Sequence, residues 1–240
     1  MLSKKDMKIL FILDFISSSD KPLGAGKLSN LLRKKGITIS EATVGRVLHE
    51  LENQSLLLKK GKRGRSLSES GKALLVELEG KLERNEIVAL FLKTLRNHEG
   101  KSIIDILTAR KAIERETSRL AAIKSTPSDI RSLKDIIILQ EKRVNQGQSI
   151  ADIDTLFHNQ IARASKNIVL ETMLSLIWQE TYLAPSLEYM RNKMNRGFGY
   201  DHTRIFDAIA NHDPGKAEKE MITHMDNVLK DVQAFIEQQE

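Results

Sequence analysis

The stretch DHTRIFDAIANHDPGKAEKEMITHM, Asp201 to Met225, predicts two helices joined at a sharp break. The break falls at Asp213 and Pro214, because proline is favoured at the first position of a new helix. His202 lies 11 residues before Asp213, and His224 lies 11 residues after it. At about 1.5 Å per residue, each histidine is roughly 16 Å from the turn. The stretch therefore predicts an antiparallel helical hairpin with two imidazoles at the same level.

Both histidines lie on the apolar faces of their helices, by the i, i+3, i+4, i+7 spacing of a helical face. The apolar neighbours are Ile205, Phe206 and Ile209 for His202, and Ala217, Met221 and Val228 for His224. Two imidazoles that face each other in a helical interior are costly to bury unless their nitrogens find partners. A lone helical histidine is more often a surface or core residue than a ligand, so partners elsewhere in the chain decide the interpretation.

The segment IDTLFH, Ile153 to His158, supplies candidate partners. Asp154 and His158 are separated by four positions, so both lie on one helical face and could chelate one ion. Together with His202 and His224 they would offer three imidazoles and one carboxylate. This set suits Zn²⁺ or Ni²⁺ first, and Co²⁺ or Mn²⁺ next, since the chain has no cysteine to bias the choice. The alternative is a local polar pair on a surface helix.

The rest of the chain from about residue 69 to 237 is also predicted to be helical. Thr126, Pro127 and Asp129 give the cap, first position and acidic first turn of one helix. Ile106 and Ile113 repeat at seven-residue spacing with Leu120, as on a core-facing helix.

Composition bounds the function classes. The chain is 40% hydrophobic and has 13 Gly and 4 Pro in 240 residues, so a sizeable core is expected and disorder is not. No apolar run reaches the roughly 18 residues that a membrane span needs, and we expect no membrane partner. The absence of cysteine fits a cytoplasmic location.

The positive charge is concentrated in the first third of the chain. Residues 1–80 carry 15 Lys and Arg against 9 Asp and Glu, which accounts for the whole net charge of +6. This asymmetry suggests a module that binds a polyanion.

The basic third predicts a winged helix-turn-helix, with helices near 4–18, 24–35 and 40–54 and two strands near 57–67. Ser40 is a natural N-cap of the third helix, whose outward Thr43 and Arg46 could reach base edges in the major groove of double-stranded DNA. The segment GKRGR, Gly61 to Arg65, falls where a wing belongs, and its cations would contact phosphates. Those cations are Lys62, Arg63 and Arg65. A solvated basic loop is the alternative interpretation of this run.

The predicted fold class is mainly α: a winged helix-turn-helix followed by an all-α antiparallel helical bundle. We place the DNA-binding domain at residues 1–75, a connecting helix or linker at 76–100, and the metal- and ligand-binding domain at 101–240.

The second part resembles the FCD ligand-binding domain of FadR-type GntR regulators. The motifs that carry the resemblance are R-x-x-I-E at 110–114, D-x-x-F-H-x-x-I-A-x-A-S-x-N at 154–167, H-x-x-I-x-x-A-I-x-x-x-D at 202–213, and A-x-x-x-M-x-x-H at 217–224. In the metal-binding branch of that family the matching positions are the ligands, here Asp154, His158, His202 and His224. The resemblance also implies that Arg110 and Asn167 line a cavity for a small organic acid, and that the chain is a homodimer. Arg110 could instead form a helical salt bridge, and Asn167 could also cap the next helix.

The first part departs from the usual GntR winged helix. Its segments AGKLSNLLRKKG and GKRGRSLSESG are closer to the winged helices found beside ribonuclease R and in some archaeal regulators. The usual GntR operator pattern is therefore not carried over.

The leading hypothesis is a metal-containing repressor that a ligand releases from its DNA operator. A metalloenzyme is the first alternative, since a His₃Asp ion with open positions could activate water. Its candidate bases, Glu114, Glu116 and Glu180, are interpreted as ordinary helical acids, which argues against it. A third possibility keeps DNA binding but makes the metal structural, or the signal itself.

Overall fold

The computed structural model describes residues 2–96, 100–181, 183–194 and 200–239. The chain divides into two compact units, Met1–Phe91 and Leu92–Glu240. Each unit has its own hydrophobic core. Among the described residues, no helix is both long and apolar enough to cross a bilayer.

The first unit is a helix-turn-helix followed by a two-stranded wing. Its elements are α1 (Lys4–Ser17), α2 (Ala25–Lys34), α3 (Glu41–Asn53), β1 (Leu57–Lys59), a 3₁₀ turn (Gly61–Arg63), β2 (Arg65–Leu67) and most of α4 (Glu69–Leu95), whose residues from Leu92 on belong to the second unit. Most of the predicted connecting segment is thus helical, because α4 continues to Leu95.

Helix α3 begins where its capping residue predicts. The Ser40 hydroxyl accepts a hydrogen bond from the Thr43 backbone N–H at 3.2 Å. One face then packs into the core through Val44, Leu48 and Leu51, which are almost fully buried. The two features fix the start and the rotation of the helix, as the sequence predicts.

The wing is an antiparallel hairpin held against the segment before α2. Strands β1 and β2 pair Leu57 with Leu67, and Leu23 exchanges backbone hydrogen bonds of 3.0 and 2.9 Å with Arg65. Gly64 sits beside this bridge with φ +123°, and a Cβ there would lie 2.4 Å from the Leu23 carbonyl carbon. Glycine is therefore required at this position.

The second unit is an all-helical antiparallel bundle, as predicted. Its helices in the described residues are α5 (Gly100–Lys124), α6 (Pro127–Asn145), α7 (Ala151–Ala164), α8 (Ile168–Thr181), α9 (Leu183–Lys193), α10 (Tyr200–Ala210) and α11 (Pro214–Glu237). Helix α5 packs against α7 and α11, and α11 also packs against α10. The core between these helices includes Phe157, Ile161 and Met221, all fully buried.

The predicted start of α6 is confirmed as a capping box. The Thr126 hydroxyl accepts from the Asp129 backbone N–H, and the Asp129 carboxylate accepts in return from the Thr126 backbone N–H at 2.8 Å. The Lys166 ammonium lies 2.7 Å from the same carboxylate. Burial raises the pKa of Asp129, but Lys166 and Thr126 outweigh it and hold the pKa at about 2. Asp129 is therefore ionised and doubly engaged in the folded chain.

Asp129→Ala should lower the free energy of unfolding by about 1–2 kcal/mol, because it removes half of the capping box and a partner of Lys166. Since the folded-state pKa is depressed, this contribution is present above about pH 4 and is lost as the pH falls toward 2. Urea unfolding followed by fluorescence of the single tryptophan, Trp178, measures it. Asp135→Ala, an exposed acid of the same helix, is the matched control. Equal losses in the two variants would contradict the assignment.

Candidate metal centre and nucleic-acid interface

Three imidazoles from three helices meet in the core of the second unit. They belong to His158 on α7, His202 on α10 and His224 on α11, and one nitrogen of each lies within 4.8 Å of the others. Their exposed fractions are 1%, 2% and 2%. The ring centroids are 4.8–5.2 Å apart. Three nitrogen donors are thus gathered at one buried point.

The hairpin of α10 and α11 brings two of these rings together. The Asp213 carboxylate accepts from the Lys216 backbone N–H at 2.9 Å and so begins α11. Buried apolar side chains on the same faces fix the rotation of each helix. His202 and His224 then face each other with ring centroids 4.8 Å apart. The level placement predicted from the equal offsets around Asp213 is confirmed.

Asp154 lies one helical turn before His158 and faces the same point. Its Oδ1 atom is 3.4 Å from His202 Nε2 and 3.8 Å from His158 Nε2. In the described part of the chain this carboxylate has no ion pair with lysine or arginine. His158 Nε2 is buried and has no hydrogen-bond partner there. A largely buried carboxylate among imidazole nitrogens is stabilised only if a cation or proton joins them.

The other ring nitrogen of each histidine faces an acceptor outside the cluster. His202 Nδ1 is 2.7 Å from the Gln140 amide oxygen. His224 Nδ1 is 3.5 Å from an Asp201 carboxylate oxygen, and His158 Nδ1 contacts the Glu114 carboxylate. Acceptors at the outer nitrogens orient metal-binding histidines. Among the described residues, His202 Nδ1 makes a hydrogen bond of this kind, whereas His158 and His224 lie close to their carboxylates without one.

Burial keeps two of the imidazoles neutral. Burial, together with the nearby His224 and His158, holds the pKa of His202 well below its usual value of 6.5. Burial also lowers the pKa of His224, although Asp201 opposes that shift. Neutral imidazoles keep the lone pair that a metal ion requires.

Arg110 and Glu114 form a buried pair beside this cluster. Arg110 Nε donates to Glu114 Oε1 at 2.7 Å, and both side chains are about 1% exposed. Burial raises the pKa of Glu114, but the Arg110 guanidinium and His158 outweigh it and hold the pKa at about 2. The interpretation of Glu114 as an ordinary helical acid was therefore wrong. Glu114 is a buried partner of His158 and Arg110.

The other predicted ligand-lining residue, Asn167, is engaged as a cap. Its side-chain oxygen accepts from the backbone N–H groups of Val169 and Leu170, at 3.2 and 3.3 Å. This confirms the predicted cap of α8. A role of Asn167 in an effector cavity stays a prediction.

The sequence did not predict that Gln140 and Asp201 face the imidazoles, or that Trp178 lies beside them. A signal existed only for Asp201, which directly precedes His202. Gln140 lies 62 residues before His202, and nothing in its local sequence marks it. The side chain of Glu180, another candidate acid, lies outside the described residues.

The residues predicted to contact bases lie at the start of α3. The hydroxyls of Ser40 and Thr43 are 2.9 Å apart, and Arg46 Nη2 donates to the Thr43 hydroxyl at 3.3 Å. Ser40 and Arg46 are exposed, whereas Thr43 is partly buried. The first turns of α3 thus present hydroxyl and guanidinium groups together.

The predicted wing cations differ in what they contact. Arg63 is exposed at the tip, and the side chain of Lys62 lies outside the described residues. The Arg65 guanidinium donates two hydrogen bonds, of 3.1 and 3.0 Å, to a Glu52 carboxylate oxygen on α3. Arg65 therefore ties the wing to α3, and a phosphate would have to compete with Glu52 for it.

Comparison with known proteins agrees with both parts of the chain. Relatives include the "Uxu operon regulator" of Haemophilus influenzae, 26% identical over 52% of this chain and 48% of that protein. The "Putative L-lactate dehydrogenase operon regulatory protein" of Escherichia coli is 33% identical over 62% of this chain and 58% of that protein. The matches thus span about half the length of these relatives.

A solved structure shows the same fold. It is described as Lar, which controls the expression of the Listeria monocytogenes agr system. The alignment covers 98% of this chain and 98% of that one, with 11% sequence identity and a TM-score of 0.51. This likeness shows the fold alone.

Family models match most of the chain. Residues 10–75 match the ribonuclease R winged-helix domain, which agrees with the atypical wing segments. Residues 105–227, about half of the chain, match the FCD domain. The chain therefore belongs to the FCD-domain family of GntR-type regulators, with a winged helix of the ribonuclease R kind at its N-terminal side.

Proposed function

We propose that this chain is a DNA-binding transcription regulator whose helical domain binds a divalent metal ion and a small organic acid. The observation that carries the proposal is the meeting of three buried imidazoles whose outer nitrogens each face a separate acceptor. Family membership supports the regulatory part, because the named relatives are regulators rather than enzymes. The metalloenzyme alternative is therefore set aside.

The metal ligands in this proposal are Asp154, His158, His202 and His224. Three imidazole nitrogens and one carboxylate suit Zn²⁺ or Ni²⁺, with Co²⁺ or Mn²⁺ also compatible. A divalent ion would neutralise the Asp154 carboxylate, which otherwise has no cationic partner in the described residues. When bound, it would act as a Lewis acid that holds a carboxylate or hydroxyl oxygen of the effector.

The effector would bind beside Arg110. Arg110 Nη1 is buried and has no hydrogen-bond partner in the described residues, while Nε is occupied by Glu114. A free guanidinium N–H in a buried site suits a carboxylate oxygen. A small carboxylic acid therefore satisfies the metal and the arginine together.

The winged helix would bind double-stranded DNA as part of a homodimer. Arg46 and Thr43 on α3 would contact base edges, while Arg63 and Lys62 on the wing would contact phosphates. Arg65 would position the wing through Glu52. The excess of positive charge in residues 1–80 supports this assignment.

The proposed mode is repression that the acid relieves. The acid can act only if it binds one arrangement of the protein better than the other. A gel-shift titration in which the acid tightens DNA binding would reverse the proposed sign. Chelation separates a further alternative: lowered thermal stability with unchanged DNA affinity indicates a purely structural ion.

Arg46→Ala should weaken binding to a duplex selected from a random pool by the wild-type protein by about 10- to 100-fold, because a base-contacting arginine contributes roughly 1–3 kcal/mol. Fluorescence anisotropy at fixed salt measures this. Arg131→Ala, which removes an exposed arginine of α6, is the charge-matched control and should bind as the wild type does. Wild-type affinity in Arg46→Ala would remove α3 from the proposed interface.

A further inference from the structure

A cleft in the second unit is lined by Trp178, the indole nearest the His158 imidazole. It has a volume of about 220 Å³ and lies between the first turns of α7 and α9 and one residue of α8. Its wall is apolar apart from Thr155 and from Asp152, whose exposed carboxylate pairs with Arg143. The apolar part is formed by Ala151, Trp178, Leu183, Ala184 and Pro185. A water molecule occupies about 30 Å³ of the liquid, so the cleft has room for a chain of several carbons. We call it the α7–α9 cleft.

Trp178 joins this cleft to the cluster. The Arg110 guanidinium carbon lies 3.8 Å from the centroid of the indole ring, and the His158 ring centroid is 5.9 Å away. One side of the indole therefore contacts the site of the proposed effector, while the residue also lines the cleft.

Two buried donors beside the cleft have no acceptor among the described residues. Trp178 is 6% exposed, and its Nε1–H has no hydrogen-bond partner in the described part of the chain. The same is true of Arg110 Nη1. A buried N–H without a partner is costly, and the Arg110 guanidinium lies over the indole ring that carries the other donor. Together they suit a carboxylate group, which offers two acceptor oxygens.

We propose that the α7–α9 cleft is the subsite for the carbon chain of the effector, and that Trp178 shares the effector carboxylate with Arg110. This inference rests on the proposed function and narrows it. The effector is a carboxylic acid that carries several carbons beyond its carboxylate, because the wall formed by Ala151, Leu183 and Ala184 is apolar. Trp178 is then a specificity-determining residue that supplies both a donor and an inner wall.

The test compares a short and a longer acid on the zinc-loaded chain, by isothermal titration calorimetry. The probes are 2-hydroxypropanoate and 2-hydroxyhexanoate, which differ by three methylenes. Burying three methylenes predicts roughly 50-fold tighter binding of the longer acid. Binding should also shift the fluorescence of Trp178, the single tryptophan of the chain.

Two variants, with a control and a replacement, separate the cleft from the carboxylate contact. Ala184→Leu fills the cleft and should abolish the preference for the longer acid. Ser186→Leu places the same side chain at an exposed position of α9 and should keep the preference. Trp178→Phe retains an aromatic wall but removes the N–H, and should weaken both acids about tenfold while their ratio is preserved. If Ala184→Leu does not fold, Ala151→Val takes its place, because it narrows the same cleft on the α7 side.

The outcomes distinguish this inference from the function on which it rests. If the wild type binds both acids equally, or if the preference survives in folded Ala184→Leu and Ala151→Val, the cleft assignment is wrong while an organic-acid effector stands. Unchanged affinities of Trp178→Phe for both acids would show that the Trp178 N–H does not contact the effector carboxylate. If neither acid binds, both the cleft and the organic-acid part of the proposed function are overturned.

Discussion

His202→Ala and His224→Ala should each lose most of the metal that the chain binds, whereas His49→Ala should retain it. Each of the first two changes removes one of three imidazoles that lie within 4.8 Å of one another. Loss of an outer partner of a metal ligand typically weakens binding 10- to 100-fold, so loss of a ligand itself should exceed about 100-fold. Elemental analysis after dialysis gives the metal content per chain, and competition with a chromophoric chelator gives the affinity.

The control and a graded variant sharpen this test. His49 is an exposed histidine of α3, so His49→Ala changes the histidine count without touching the cluster. Asp201→Asn keeps all four ligands but weakens the acceptor that faces His224 Nδ1. Its metal affinity should be 10- to 100-fold below that of the wild type, between the affinities of His49→Ala and of the two ligand variants. Full metal occupancy in a folded His202→Ala or His224→Ala chain would reject the site. Far-UV circular dichroism establishes that the variants are folded.

Much of this site could be predicted because its information is local. The N-cap at Asp213 fixes where α11 begins, and helical rise converts equal residue offsets into equal heights. Asp154 and His158 share a face for the same reason. Once apolar neighbours fix the rotation of each helix, the imidazoles have to point into the bundle.

The outer partners of the histidines could not be predicted in this way. Glu114 reaches His158 only because α5 packs against α7 at a particular height and rotation. Gln140 reaches His202 across 62 residues of sequence. Contacts of this kind depend on how helices pack, and helical periodicity gives the face of a residue but not its partner on another helix.

In the wing, too, the sequence predicts the position of a residue but not its contacts with other elements. The position of a basic tip after a capped helix follows from the sequence, and the structure has a hairpin there. The engagement of Arg65 by Glu52 does not follow, since the two residues meet only after the hairpin folds back on α3. A count of cations in a loop therefore overstates how many are free to contact phosphate.

Glu114→Ala should destabilise the metal-free helical domain by about 3–5 kcal/mol, because it leaves the Arg110 guanidinium buried without its counter-ion. The loss comes from the uncompensated charge more than from the missing hydrogen bond. Urea unfolding of the metal-free chain, followed by far-UV circular dichroism and by the single tryptophan, measures the change in the free energy of unfolding.

Glu116→Ala is the matched control for this prediction. Glu116 lies on the same helix and pairs with Arg119 at 2.8 Å, but its side chain is 38% exposed, so its removal should cost about 0–1 kcal/mol. The double variant Arg110→Met/Glu114→Leu should recover much of the lost stability, since it leaves neither charge of the pair buried.

The contribution of Glu114 to stability should also depend on pH. The folded-state pKa of Glu114, about 2, is below its usual 4.5. Its contribution is therefore complete above about pH 4.5 and is lost as the pH falls toward 2, and the gap between wild type and Glu114→Ala should close in that window. Two outcomes would contradict this prediction: similar losses of stability in Glu114→Ala and Glu116→Ala, or a double variant no more stable than Glu114→Ala. Either would show that Glu114 does not stabilise the domain by compensating the buried charge of Arg110.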